Sequence, residues 1–261
     1  MILNIEAKLS YQLEDLTDLL LQVEVARMSG QEVAQDALFT TNVNGFRRIT
    51  GEAALGKRAW MQAGGQFDLT YQAEVSVTRP DPDLTRMDAA APRSLTGEAT
   101  SFLMPSRYCP SDEFQAFVAA EFGDLSGGRL LMAMRDWIED AFTYVPGASG
   151  PGTTARDTFV QRQGVCRDYS HVLIAMARAA GIPARMASVY APYVDPPDFH
   201  AVTEVWLEDA WHLVDATGMA LPSQMAVIGV GRDAADVSFL TSFGRADFVY
   251  QQVSVAVADP S

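Results

Sequence analysis

The stretch Val165-Cys-Arg-Asp-Tyr-Ser-His-Val-Leu-Ile-Ala-Met-Ala-Arg-Ala-Ala-Gly181 decides how this chain is read. Its apolar residues recur at helical spacing, and Gly181 with Pro183 beyond supplies the stop. With Cys166 at 0° and about 100° per residue, Val165, Tyr169, Val172, Leu173, Met176, Ala177 and Ala180 share one broad face. Arg167, Asp168, His171 and Arg178 fall mostly on the far side. Cys166 sits at the edge of the apolar stripe, in the first turn. There, unpaired backbone N–H groups and the positive end of the helix dipole favour a thiolate.

Working outward, the pattern predicts short helices over Asp112–Gly123 and Thr154–Gln163, the latter stopped by Gly164, and a longer helix over Arg129–Phe142. A glycine-rich loop, Gly147–Thr154, lies between them. Downstream, Ala184–Ala191, His200–Leu207 and Trp211–Thr217 read as strands, with Phe248–Ala258 expected to close their sheet. Upstream, Leu3–Leu13, Thr17–Met28, Phe46–Gly51, Ala54–Gln62 and Gln66–Val77 are short runs with partial alternation. Turn signals at Asn42–Gly45, Gly64–Gly65 and Pro80-Asp-Pro82 separate them. Asp81–Gly97 reads as a linker and Phe102–Pro110 as an extended crossing segment. The fold class is therefore α+β: a small β-sandwich domain over 1–100, then a helix-then-sheet domain over 101–261.

Bulk properties narrow the function. The chain has 261 residues, 48% hydrophobic and 20% charged, as soluble globular proteins do. A net charge of -14 disfavours nucleic acid and anionic membrane, which bind through an excess of Lys and Arg. No run approaches the ~18–20 apolar residues of a membrane span, and the start, Met-Ile-Leu-Asn-Ile-Glu-Ala-Lys8, lacks the apolar core of a signal peptide. Two cysteines, Cys109 and Cys166, are too few for a disulfide framework. The expectation is a cytoplasmic protein. Nothing in the sequence fixes an oligomeric state.

A nucleophilic thiol needs a base held in place by a third group. If Glu208-Asp209 is a two-residue turn, Leu207 faces Ala210 and Asp215 becomes the diagonal neighbour of His200 on the same sheet face. Diagonal residues lie ~7–8 Å apart by Cα, within reach of a His–Asp hydrogen bond. His212 has the opposite parity, and His171 points away from Cys166 on its helix. The candidate catalytic set is Cys166, His200 and Asp215. Against it stands the fact that a cysteine near a helix start is more often a small buried hydrophobe.

The segments Arg162-Gln-Gly-Val-Cys-Arg-Asp-Tyr-Ser-His171, Ala177-Arg-Ala-Ala-Gly-Ile-Pro-Ala-Arg185, His200 and Ala210-Trp-His-Leu-Val-Asp-Ala-Thr217 together resemble the bacterial transglutaminase-like superfamily, in its cysteine protease-like branch. The resemblance covers roughly 102–217, with Leu19–Ala26 similar to the β domain that often precedes that core and Gly231–Val237 similar to its usual C-terminal loop. It implies a papain-like core with catalytic Cys166, His200 and Asp215, and a peptide or protein amide as substrate. One departure is Val165, where cross-linking transglutaminases carry Gln. Gln161 and Gln163 are weak candidates for a side-chain oxyanion donor, and the backbone N–H groups are the firmer one.

Other residues have plainer readings. Asp168 suits first-turn stabilisation of the helix more than catalysis, Arg167 a solvated or loop-pairing charge, Trp211 the core more than a wall of the site, and Cys109 a structural position. Tyr144 with the Gly147–Thr154 loop is a candidate to rim the cleft, an ordinary surface loop being the plainer reading, and Pro192–Phe199 before His200 reads as a substrate-gating loop or a long hairpin connection. No metal is expected: Cys166 and His171 are five apart on a helix and no CxxC or HxxxH spacing occurs. No cofactor fingerprint is present. These features favour a thiol-dependent peptidase or amidase working through a thioester. Acyl transfer to an amine is the same chemistry with another acceptor, and a non-catalytic peptide-binding module is the third reading. An arylamine acetyltransferase would bring a helical N-terminal domain instead of a β-rich one.

Overall fold

Two strands of about twenty residues organise the first part of the molecule. The computed structural model describes residues 1–41 and 43–258, so Asn42 of the expected turn at 42–45 lies outside it. Strands β1 (Ile2–Leu21), β2 (Gln31–Thr40), β3 (Asn44–Thr50) and β4 (Lys57–Val77) belong to one antiparallel sheet centred on the β1–β4 pair. The inward face is legible in the alternation of Leu3, Ile5, Ala7 and Leu9 with Phe67, Leu69, Tyr71 and Val75, all buried. The runs read separately as 3–13 and 17–28 are largely one strand, bent by a bulge between Leu13 and Thr17. Gly64-Gly65, read as a turn, lies inside β4 opposite that bulge, with Gly65 at φ +69°. Strand β2 has no counterpart in the sequence reading.

The linker after β4 carries short 3-10 turns and a single helical turn, α1 (Gly97–Thr100). Then follow α2 (Gln115–Phe122), α3 (Gly127–Ala141), the two-residue strand β5 (Thr143–Tyr144), α4 (Ala155–Gln161), the two-residue strand β6 (Gln163–Gly164) and α5 (Cys166–Ala179). Helix α4 ends not at Gly164 but at Arg162, whose backbone is left-handed (φ 57°). Helix α5 is buried nearly all round: Asp168, His171 and Arg178, on the side away from the apolar stripe, are buried as fully as Val172 and Leu173. It packs on the sheet β7 (Ala184–Tyr190), β8 (His200–Leu207), β9 (Ala210–Val214) on one side and against α2, α3 and α4 elsewhere.

The fourth strand of that sheet corrects an expectation. It is β10 (Ala226–Gly231), paired with β7, in the order β10-β7-β8-β9. The C-terminal run expected there instead forms β11 (Leu240–Ser242) and β12 (Ala246–Val257), both paired with β1. The physical reason is burial. Every residue of Ala226-Val-Ile-Gly-Val-Gly231 is buried, as an apolar strand covered on both faces must be. Strand β12 alternates over 251–255, with Val253 buried opposite Ala7, and suits a sheet with one exposed face.

The strands expected to form a sandwich are thus joined into one six-stranded sheet, and residues beyond 100 contribute two of its strands. The two halves also share a core. Tyr190, Phe199, Ala226 and Ile228 pack with the β1–β4 residues, and the Gln31 side chain bonds both the N–H and the C=O of Val227. The fold is α+β, helices on an antiparallel sheet, preceded by a strand-rich region. No helix among the described residues is long and apolar enough to cross a membrane.

Candidate active site

Cys166 is the first residue of α5, directly after Val165, whose extended backbone (φ -116°) opens the helix. Asp168 organises this start: its Oδ2 accepts the Val165 N–H at 2.8 Å and the Ser149 hydroxyl at 2.5 Å. Arg167 reaches the same loop, bonding Ser149 Oγ and the Gly150 carbonyl at 3.2 Å each. The glycine-rich loop is thereby tied to the turn that carries the thiol. Gly164 is required here for space, because a Cβ would come within 2.7 Å of Asp168 Cβ.

The hairpin that carries the other two candidates follows the predicted register. Leu207 pairs with Ala210 across Glu208-Asp209, both at positive φ as a tight primed turn demands. Ladder pairing ends at Thr203–Val214, and Asp215 lies just beyond, turned so that Oδ2 meets His200 Nε2 at 2.8 Å. Asp215 also accepts the Thr217 N–H (2.8 Å), the Thr217 hydroxyl (2.7 Å) and the Ala220 N–H (3.0 Å). These donors fix the carboxylate, and the carboxylate fixes the ring. His200 Nδ1 has no hydrogen-bond partner among the described residues, and the Cys166 side chain is a near neighbour of the ring.

Burial sets the electrostatics. Cys166, His200 and Asp215 are 9%, 1% and 5% exposed. For His200 burial opposes the charged ring, but the hydrogen bond to the Asp215 carboxylate and the proximity of Cys166 outweigh it, raising its pKa to about 10. Asp215 shifts the other way: burial would raise it, and the bonds from His200 and Thr217 hold it below the usual carboxylate range. The pair is an imidazolium on an anchored carboxylate, facing a thiol.

One residue had been read only as a rim candidate. Tyr144 pairs with Gly164 in the β5–β6 bridge, which brings its side chain to Cys166. Burial raises the phenol's pKa first, and the neighbouring Cys166 next. Gln161 and Gln163 are exposed. A two-residue strand leaves no periodicity in the sequence, so nothing there set Tyr144 beside the thiol instead of at the rim.

The remaining candidates are placed elsewhere. His171 is buried against Tyr108, His212 bonds the Leu207 carbonyl at 3.2 Å, and Trp211 packs on Arg185, Trp206 and Phe102. Cys109 is fully buried in the helical core, which pushes its thiol up to about 12. Among the described residues, no group of three or more His, Cys, Asp and Glu side chains is arranged to hold a metal.

Residues 118–216 match the family model of the transglutaminase-like superfamily. A solved structure of a candidate cysteine protease from Cytophaga hutchinsonii superposes with a TM-score of 0.92 at 30% identity, covering 100% of this chain and 92% of that one. An uncharacterized protein of Mycobacterium leprae is 25% identical over 184 residues, 66% of each chain. Another, of Mycobacterium tuberculosis, is 32% identical over 198 residues, 65% of this chain and 62% of its own. The chain thus spans just under two thirds of the length of these curated relatives. With the family model matched and a like-folded relative along its whole length, the chain belongs to the transglutaminase-like superfamily.

Proposed function

We infer that the protein is a thiol-dependent amide hydrolase, a peptidase or amidase, with Cys166 as nucleophile, His200 as its acid–base partner and Asp215 as the group that orients and charges His200. The observation that carries this reading is the 2.8 Å His200–Asp215 bond, with the ring's other nitrogen left for the thiol at a helix start. The thiolate attacks the amide carbonyl, and the oxyanion is held by N–H groups at the start of α5 and by the Tyr144 hydroxyl. His200 gives its proton to the departing amine, leaving a thioester on Cys166. His200 then takes a proton from water, which attacks the thioester and releases the carboxylate and the free thiol.

The substrate in this reading is a peptide or protein amide, in line with the protease relative. The reading extends to a cytoplasmic location, supported by two free, buried thiols that a reducing compartment keeps intact. A panel of acyl donors, with and without an added primary amine, tests the activity, with intact mass reporting acyl adducts on Cys166. Carboxylate release that is lost in Cys166→Ala is expected. Labelling by iodoacetamide at neutral pH should reach Cys166 well before Cys109 and slow in His200→Ala. Equal labelling of the two thiols, or turnover surviving in Cys166→Ala, would remove the nucleophile assigned here.

A further inference from the structure

A cavity of about 440 Å3 lies between the loop that leads into His200 and β12, lined on one side by Tyr193, Val194 and Asp198 and on the other by Gln251, Val253 and Val255. Its size is that of a small-ligand or short-peptide site. Two features of its walls point to what occupies it.

The first is the strand. β12 bonds to β1 along one side, and among the described residues no strand pairs with the other. Proteins normally guard such an edge with charges, prolines or a covering element. Across Ala246–Val257 the only charge is Asp247, there is no proline, and Phe248, Val249 and Tyr250 are exposed. An unguarded edge offers a row of N–H and C=O groups to any extended peptide that reaches it.

The second is Asp198. It is exposed, and its Oδ1 takes the Phe199 N–H at 2.6 Å and the Gln251 side-chain amide. Oδ2 has no hydrogen bond and the carboxylate has no cationic partner among the described residues. Gln251 belongs to β12, so this carboxylate joins the two walls of the cavity. Asp198 stands two residues before His200 in the chain, and its charge is also felt by His200 and by Tyr144. A net charge of -14 adds a general attraction for cations and a repulsion of acidic chains.

We propose that this groove is the substrate subsite, taking an extended peptide as an added strand on the free edge of β12 and pairing a Lys or Arg side chain of that peptide with Asp198. The assignment deepens the hydrolase reading and rests on it for the chemistry at Cys166, though not for binding. The N-terminal sheet then selects substrate, because it supplies one wall of the groove.

The test uses the full chain with Cys166→Ala, which binds without turnover, and fluorescein-labelled octapeptides of neutral residues carrying one Lys, norleucine or Glu at each position in turn. Fluorescence polarisation should show one position where Lys binds about tenfold tighter than norleucine, as one charge-assisted contact allows. That preference should weaken with salt, fall below about twofold in Asp198→Asn and turn towards Glu in Asp198→Lys. Equal binding of Lys and norleucine peptides, or a Lys preference untouched by Asp198→Asn, would overturn the assignment. So would a dimer of this chain whose formation excludes the peptides, since a second copy would then own the edge. Lys-selective binding together with no amide turnover by the unaltered protein would sink the hydrolase reading and leave the groove standing. Turnover without such binding does the reverse.

Discussion

Acidification from pH 6.5 to 4.5 should destabilise the folded protein chiefly through one buried ring, His171. Its Nε2 accepts the Ala234 N–H at 3.2 Å, its face stacks on Tyr108 (5.1 Å, 14°), and its Nδ1 finds no partner among the described residues. A ring that accepts at Nε2 is neutral. Burial first, then the nearby Arg167 and Arg178, push its pKa down to about 3. In the unfolded chain it titrates near 6.5. Below about pH 6.5 the unfolded state therefore takes up a proton that the folded state refuses, and stability falls as pH falls. The slope is about 1.4 kcal/mol per pH unit, or roughly 2.5 kcal/mol across the two units, a large share of a typical domain's stability. His200 does not contribute to this limb, because its folded pKa is raised to about 10 and its stabilisation is complete below the unfolded value. Urea midpoints at half-unit pH steps, with constant m, measure the slope. In His171→Gln the side-chain carbonyl can still take the Ala234 N–H but does not titrate. That variant should lose about 1–2 kcal/mol at pH 7 through lost packing, yet stay nearly flat down to pH 4.5. Parallel curves for the two proteins would refute the reasoning.

Two further outcomes follow from the site. Asp215→Asn leaves His200 buried without its anion, so stability at pH 7 should drop by about 3 kcal/mol in the same urea titration and kcat by roughly a thousandfold. The loss of stability as pH rises from about 6.5 towards 10, which the raised His200 pKa predicts, should flatten in this variant; kcat within tenfold of normal would count against its assigned role. Tyr144→Phe removes one hydroxyl beside Cys166 and should lower kcat about 10- to 100-fold with KM nearly unchanged; an unchanged kcat would exclude Tyr144 from oxyanion stabilisation.

What the sequence determined by itself was local. The 3.6-residue period and the Gly181 stop placed α5 with Cys166 in its first turn. A two-residue turn with alternating flanks set the β8–β9 register, from which the His200–Asp215 contact follows even though Asp215 lies one residue past the ladder. Both rest on interactions between residues close in the chain, and such interactions leave a periodic trace. Tertiary structure alone decided three other things. Tyr144 reaches Cys166 through a two-residue bridge too short to show a period. The C-terminal strand joins β1 because its short alternation over 251–255 fits any half-exposed sheet, and only the bare edge of β1 chooses between them. His171 and Asp168 are buried because the Ser149 loop and the segment around Ala234 close over α5 from a distance, and a helical wheel records a side chain's direction but not what will cover it.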